Sequence, residues 1–364
     1  MRNIALASDD NFATPLMVAV YSYFKSNPEP TRVHVLFENL SEKHIDSLRK
    51  IASEVSPDSE VVAHKIDPGK FEQREDCSVT STATCVRYLI PEIIQDCDSV
   101  LYLDSDLVVV GNLEELFSLE LGEDLIAGVQ DDFVSTRPWG REMQTRYGVA
   151  AYVNAGVLLM NLRQMREEGV TAKFLNLDAG NNFPFRDQDV INAVCSGRVV
   201  LLDQKYNYFI FDGGLSAKIY HFTGNLKPWY VNKNNYQKAW WKNFEGCLKV
   251  FGGEGNVMQK IPTPNLSDAD DVTKKEFANF MKAFKARAPG VGGQCSDYRA
   301  LFLMMISQRK ESKILSAYIR CFIDLCSRGV LERLMLSVSF GFLRAILRVK
   351  EVSCKVYDRY LCRI

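Results

Sequence analysis

Short apolar runs alternate with longer amphipathic ones through the first two thirds of the chain, with the spacing of strand, loop and helix. Asn3 to Ala7 predicts a first strand, closed by Ser8-Asp9-Asp10-Asn11 and followed by an apolar stretch, Pro15 to Phe24, of helix length. Arg32 to Phe37 predicts a second strand, Ser41 to Glu54 an amphipathic helix that stops before Pro57, and Glu60 to Ile66 a third strand. Thr80 to Ile94 reads as a helix with Arg87 near its middle. Strands and helices alternating in this way indicate a doubly wound α/β sheet.

The densest apolar run, Ser99 to Val110, is interrupted by Asp104 and Asp106. A central strand covered on both faces needs the Val, Leu and Tyr found here. Within a strand the two carboxylates would point to the same side, and burying them costs free energy unless a cation or hydrogen bonds meet them. Asp-x-Asp at a strand's carboxyl end therefore suggests a divalent metal where open α/β sheets place their ligands. The same tripeptide also serves as an ordinary turn or helix cap.

Further along, Leu125 to Val129 predicts a strand with Asp131-Asp132 just past it, and Tyr152 to Leu162 another with a small-residue step at Asn154-Ala155-Gly156. Small residues there let a backbone or a ligand approach closely. Asp187-Gln188-Asp189 opens a helix, where carboxylates favour the dipole and a purely structural role would suffice. His221 ends an apolar strand and is followed by Gly224 and Lys227, an arrangement suited to a third metal ligand beside a phosphate-binding backbone and cation. The pattern lapses after Trp240-Trp241. Residues 1–250 read as the α/β domain, 251–295 as a linker with a helical segment, and 296–364 as a helical tail.

Charge changes the picture mainly for that tail. The net charge is −1, which argues against a nucleic-acid binder, but from Ser296 to Ile364 there are 13 Lys/Arg against 6 Asp/Glu. Arg333, Ser337, Gly341, Arg344, Arg348, Glu351 and Lys355 fall three or four apart on an otherwise apolar helix. The tail is expected to lie on an anionic membrane surface, or else to pack on the catalytic domain or a second subunit. No apolar run reaches the roughly 18 residues of a membrane span. The N-terminal residues lack a signal-peptide core, and the ten Cys show no CxxC pair, so the expected setting is cytoplasmic, peripheral on the inner face of the membrane.

Two carboxylates and one imidazole suit manganese or magnesium, with positions left for substrate oxygens. A diphosphate would complete such a site, Lys227 and the Gly224 backbone neutralising its far side while Asp9 and Asn11 read a base. Four motifs carry a resemblance to family 8 of the retaining glycosyltransferases, which includes bacterial lipopolysaccharide galactosyl- and glucosyltransferases and glycogenin. They are Ala7-Ser8-Asp9-Asp10-Asn11, Leu101-Tyr102-Leu103-Asp104-Ser105-Asp106, Asn154-Ala155-Gly156-Val157 and His221-Phe222-Thr223-Gly224-Asn225-Leu226-Lys227-Pro228-Trp229.

The resemblance spans about Asn3 to Trp229. It implies a GT-A type, Rossmann-like mixed sheet, and an enzyme moving galactose or glucose from a UDP-sugar to a saccharide or lipid-linked glycan, with Mn2+ or Mg2+ held by Asp104, Asp106 and His221. The UDP set it implies is Ala7, Ser8, Asp9, Asn11, Asp104, Ser105, His221, Gly224 and Lys227, with Asp9 and Asn11 on the uracil. Arg87, Asp104, Asn154, Ala155, Asp187 and Gln188 would hold the donor sugar, Gln188 and Asp187 being the catalytic pair, and Phe185 and Thr223 would meet the acceptor. Two features depart from the pattern: Val79 stands where a relative would have His, and Glu72 to Ser81 is unlike it. The alternatives are a transferase acting on a protein or a storage glycan, or a silent UDP-sugar or glycan-binding protein.

Overall fold

The computed structural model describes residues 1–67, 69, 82–179, 181, 183–209, 216–223, 227, 228 and 235–252. Gly224, Val79, the stretch from Glu72 to Ser81, and all of the expected linker and tail beyond residue 252 lie outside them. The described residues fall into two units. One is made of residues 1–223 and 239–252, and the other contains Lys227, Pro228 and residues 235–238.

The first half alternates strand and helix as the periodicity predicts: β1 (Arg2–Ala7), α1 (Ala13–Ser26), β2 (Thr31–Phe37), α2 (Glu42–Val55) and β3 (Glu60–Lys65). A 3-10 helix, Thr82–Leu89, leads into α3 (Ile90–Ile93). The expected single helix over this stretch is thus a tight 3-10 segment and one α turn. Pro91 sits in the first turn of α3, the place where its missing N–H costs least. Next come β4 (Ser99–Leu103), β5 (Leu107–Val109), α4 (Glu114–Phe117), β6 (Ile126–Gln130), α5 (Asp132–Ser135) and α6 (Pro138–Tyr147). Then follow β7 (Val153–Asn161), α7 (Leu162–Glu167), α8 (Val170–Ala179), α9 (Asp187–Val194), β8 (Val199–Leu202), β9 (Ile219–His221) and α10 (Asn235–Val250).

Seven strands form one sheet in the order β3-β2-β1-β4-β7-β6-β8. β1 to β4 pair in parallel, β7 runs antiparallel to both neighbours, and β8 is parallel to β6. Every residue of β7 is buried, as a central strand requires. The sequence of α1 is apolar all round because the helix is covered on two sides. It packs against α2 and β5, the Val109 N–H donating to the Ser22 hydroxyl, and elsewhere along it Gly246 of α10 lies against the Tyr21 ring while the Cys247 thiol reaches the Met17 carbonyl.

Ser99 to Val110 is not one strand. The chain turns at Asp104-Ser105-Asp106, and β5 leaves the main sheet to pair antiparallel with β9 in a separate ribbon. The two carboxylates therefore flank a turn rather than sharing the face of a strand. Their convergence comes from the ribbon, which sets Leu107 opposite His221.

On the far side of the sheet, His34 of β2 stacks on His64 of β3 at 5.3 Å between centroids, with His34 Nδ1 3.0 Å from His64 Nε2. Burial and the neighbouring imidazole lower the His34 pKa to about 4, and burial also lowers that of His64. The unfolded chain thus binds more protons below pH 6.5, so this pair contributes stability that is complete above pH 6.5 and lost as the pH falls toward 4. The His34 share is at most about 3 kcal/mol. Denaturant unfolding from pH 8 to 4 should show a shallower loss below pH 6.5 in His34→Gln than in the wild type; equal slopes would contradict this.

Candidate active site

The ends of β1, β4 and β7 and the β5–β9 ribbon meet at one point. The Asp104 N–H donates to the Gly156 carbonyl at 2.8 Å, and the Ser105 hydroxyl donates to the Ala7 carbonyl at 2.9 Å. The Phe222 N–H donates to the Asp106 carbonyl at 2.9 Å, holding the ribbon to the turn. Here His221 Nε2 lies 3.5 Å from Asp104 Oδ2 and 3.2 Å from Asp106 Oδ1. One ligand atom from each of the three residues falls within a 4.8 Å cluster.

Asp104 and His221 are oriented from behind. Asp104 Oδ1 accepts from the Tyr102 hydroxyl at 2.7 Å and from Arg87 Nη2 at 3.0 Å, which turns Oδ2 toward His221. His221 Nδ1 is 2.8 Å from Asn207 Oδ1, leaving Nε2 for the carboxylates. A Cβ built on Gly156 would stand 2.1 Å from His221 Cε1 and 2.8 Å from Asp104 Oδ2, so the cluster occupies the space that only glycine leaves. Burial pushes the His221 pKa down, but its hydrogen bonds to Asp104 and Asp106 outweigh this and raise it to about 9. Two carboxylates converging on one ring nitrogen attract positive charge, and their oxygen and nitrogen donors fit Mn2+ or Mg2+.

A second group lies beside the first and shares Arg87 with it. This arginine, 5% exposed, donates from Nη1 to the Ala155 carbonyl at 2.6 Å and pairs through Nε with Asp187 Oδ2 at 3.1 Å. Its guanidinium also lies over the Tyr102 ring, 4.6 Å from the centroid. Burial raises the Asp187 pKa to about 6 even though Arg87 pulls it down. Among the described residues Arg186 alone has a positive φ without being glycine, at 51°. That strained turn presents Asp187 and Gln188 at the head of α9. Gln188 Oε1 accepts from Asn154 Nδ2 and from the Ala155 N–H, both at 3.1 Å, while Nε2 donates to Asp131 Oδ2 at 3.2 Å. Asp189 is structural: Trp139 Nε1, the Tyr152 hydroxyl and the Phe185 N–H all donate to it.

The structure brings Arg87, Asp104, Ser105, Asp106, Asn154, Ala155, Asp187, Gln188 and His221 together. Ala7 and Ser8 are buried at the end of β1, beside the turn. Asp9 Oδ1 accepts from the Asn11 and Phe12 N–H groups at 2.9 and 3.0 Å, so its carboxylate shapes the loop that exposes Asn11. Phe185 is half-buried against the core next to Arg186, and Thr223 directly follows the ribbon. Lys227 belongs to the second unit. Sequence reasoning gave no role to Tyr102, Asp131 or Asn207. Asp131 carried a signal, a carboxylate just past a strand, whereas Asn207 carried none.

The family model for glycosyl transferase family 8 matches residues 3–233. The lipopolysaccharide 1,3-galactosyltransferase of Salmonella typhimurium (strain LT2) is 25% identical over 249 residues, covering 63% of this chain and 73% of its own. The galactosyltransferase LgtC, solved with donor and acceptor sugar analogs, is 25% identical with a TM-score of 0.57, over 69% of this chain and 95% of its own. The bifunctional glycosyltransferase WbbM, 22% identical, superposes with a TM-score of 0.61 over 69% of this chain, which spans about half of that protein (51%). The mixed seven-stranded sheet is the GT-A fold of these transferases. With 231 of its 364 residues matched in sequence and its sheet matched in topology, the chain belongs to glycosyl transferase family 8.

Proposed function

We propose that the chain is a retaining, Mn2+-dependent transferase that moves galactose or glucose from a UDP-sugar to a saccharide acceptor in lipopolysaccharide or another surface glycan. The observation that supports this most directly is the convergence of Asp104, Asp106 and His221 within 4.8 Å, joined through Arg87 to Asp187. Asp104, Asp106 and His221 would hold the metal. Bound there, it would supply the positive charge that stabilises a departing diphosphate.

The chain's own residues do the rest. Asp9 and Asn11 stand at the end of β1, where a nucleobase would be read. Arg87, Asn154, Asp187 and Gln188 hold the donor sugar through its hydroxyls. Retention through a covalent intermediate needs a free carboxylate nucleophile. Gln188 is an amide, Asp189 is held by three donors, and Asp187 is tied to Arg87. A front-face displacement follows, in which the leaving phosphate takes the proton of the incoming hydroxyl.

The test is UDP release from UDP-galactose and UDP-glucose with and without Mn2+. The expected result is turnover of one donor that depends on Mn2+. Metal-independent turnover, or none of either donor, would overturn the reading, and a glycosyl ester trapped on Asp187 or Asp189 would overturn the front-face step.

A further inference from the structure

The residue that decides how His221 faces the carboxylates is Asn207, and the backbone dictates which way its amide points. Asn207 is 1% exposed, directly after the 3-10 turn Gln204–Tyr206. Its neighbour Tyr208 is bridged to Tyr220 and exchanges backbone hydrogen bonds with Ile219 and His221, which fixes Asn207 against β9.

A backbone N–H can only donate. The Gly156 N–H lies 3.0 Å from Asn154 Oδ1, so that atom is an acceptor. The Asn207 atom 2.9 Å from the same oxygen must then be the Nδ2 donor, which leaves Asn207 Oδ1 facing His221 Nδ1 at 2.8 Å. His221 therefore donates from Nδ1 to Asn207, and in the neutral ring Nε2 is the nitrogen left to bind a cation beside Asp104 and Asp106. Along the other branch, Asn154 Nδ2 and the Ala155 N–H both donate to Gln188 Oε1, and Gln188 Nε2 turns to Asp131. Two adjacent backbone N–H groups, of Ala155 and Gly156, thus polarise an unbroken chain of amides from His221 to Asp131.

We propose that Asn207 is a positioning residue that fixes the Nδ1–H tautomer of His221 for cation binding and, through Asn154, couples that ligand set to the Gln188 amide. The proposal rests on the metal reading above. The two carboxylates facing Nε2 attract a cation, and a metal bound there takes the place of the proton that Nε2 otherwise carries between them. A partner that holds the opposite ring nitrogen is worth roughly 10- to 100-fold in metal affinity.

The test titrates the full chain with Mn2+ alone, following free Mn2+ by electron paramagnetic resonance, in the wild type, Asn207→Leu and Asn207→Asp. Asn207→Leu keeps the shape and loses both hydrogen bonds; its Mn2+ affinity should fall about 10- to 100-fold. Asn207→Asp keeps the acceptor for His221 and loses the donor to Asn154. It should bind Mn2+ at least as tightly as the wild type while kcat for UDP release falls about tenfold. A merely structural residue would weaken both variants alike. Wild-type Mn2+ affinity in Asn207→Leu, or equal loss in both variants, would overturn the proposal alone. Failure of the wild type to bind Mn2+ would overturn the metal reading with it.

Discussion

Gly156→Ala is expected to abolish metal-dependent turnover with only a modest effect on folding. Gly156 lies inside β7, where an alanine backbone is at ease, so the effect is steric rather than conformational. The added methyl would stand 2.1 Å from His221 Cε1 and 2.8 Å from Asp104 Oδ2. Neither group can retreat at low cost, because His221 is pinned by Asn207 and by the β5–β9 pairing, and Asp104 by Tyr102 and Arg87. Moving one of them opens the ligand triangle, and a displacement of about 1 Å at a reacting centre can cost on the order of 100-fold in rate. Overpacking of this kind costs about 1–3 kcal/mol in stability. Gly128→Ala on the adjacent strand β6 is the control. The nearest atoms to its methyl would be in the Leu158 and Val153 side chains at 3.0–3.1 Å, so it should affect stability without touching Mn2+ affinity. Gly156→Ala with wild-type Mn2+ affinity and turnover would show that the cluster is not where the metal binds.

What the periodicity of the chain revealed was the scaffold, because strand and helix alternation is a local property that burial on both faces of β1, β4 and β7 reinforces. The carboxylate pair was found for a partly mistaken reason. Treating Ser99 to Val110 as one strand placed Asp104 and Asp106 on one face, whereas they converge because the chain leaves the sheet between them. The apolar pattern continues through β5, so nothing local marks the departure; only the pairing with β9 reveals it. Asp9 shows both readings at once, capping its own loop as local chemistry predicts while standing at the end of β1. Asn207 was invisible for another reason. Its function lies in which amide atom faces His221, and that is set by the Gly156 N–H far away in the sequence. Orientation of this kind has no sequence period.

Arg87→Met should be the most destabilising substitution in the site. The guanidinium is almost fully buried, and it bridges Asp104 at 3.0 Å, Asp187 at 3.1 Å and the Ala155 carbonyl at 2.6 Å. Methionine fills similar volume and keeps contact with the Tyr102 ring, so the packing loss is small. What remains is the buried Asp187 carboxylate without its counter-charge, beside a partly exposed Asp104 that keeps only His221, a change that costs about 3–5 kcal/mol. The pH dependence follows from the same pair. Burial already raises the Asp187 pKa to about 6 against the pull of Arg87, and without the arginine it rises further. A carboxyl whose folded pKa lies above its unfolded value takes up a proton more readily when folded, so it destabilises the fold as the pH rises past that value. The deficit of Arg87→Met should therefore be largest at pH 7 to 8 and shrink toward pH 5, where Asp187 becomes neutral. Arg87→Lys should recover only part of it, because one ammonium cannot make the guanidinium's three directed contacts. Denaturant unfolding of the three proteins at pH 5 and pH 8 measures this directly. A loss under about 1 kcal/mol, or one independent of pH, would mean that solvent already screens the two carboxylates and that Arg87 serves the donor sugar alone.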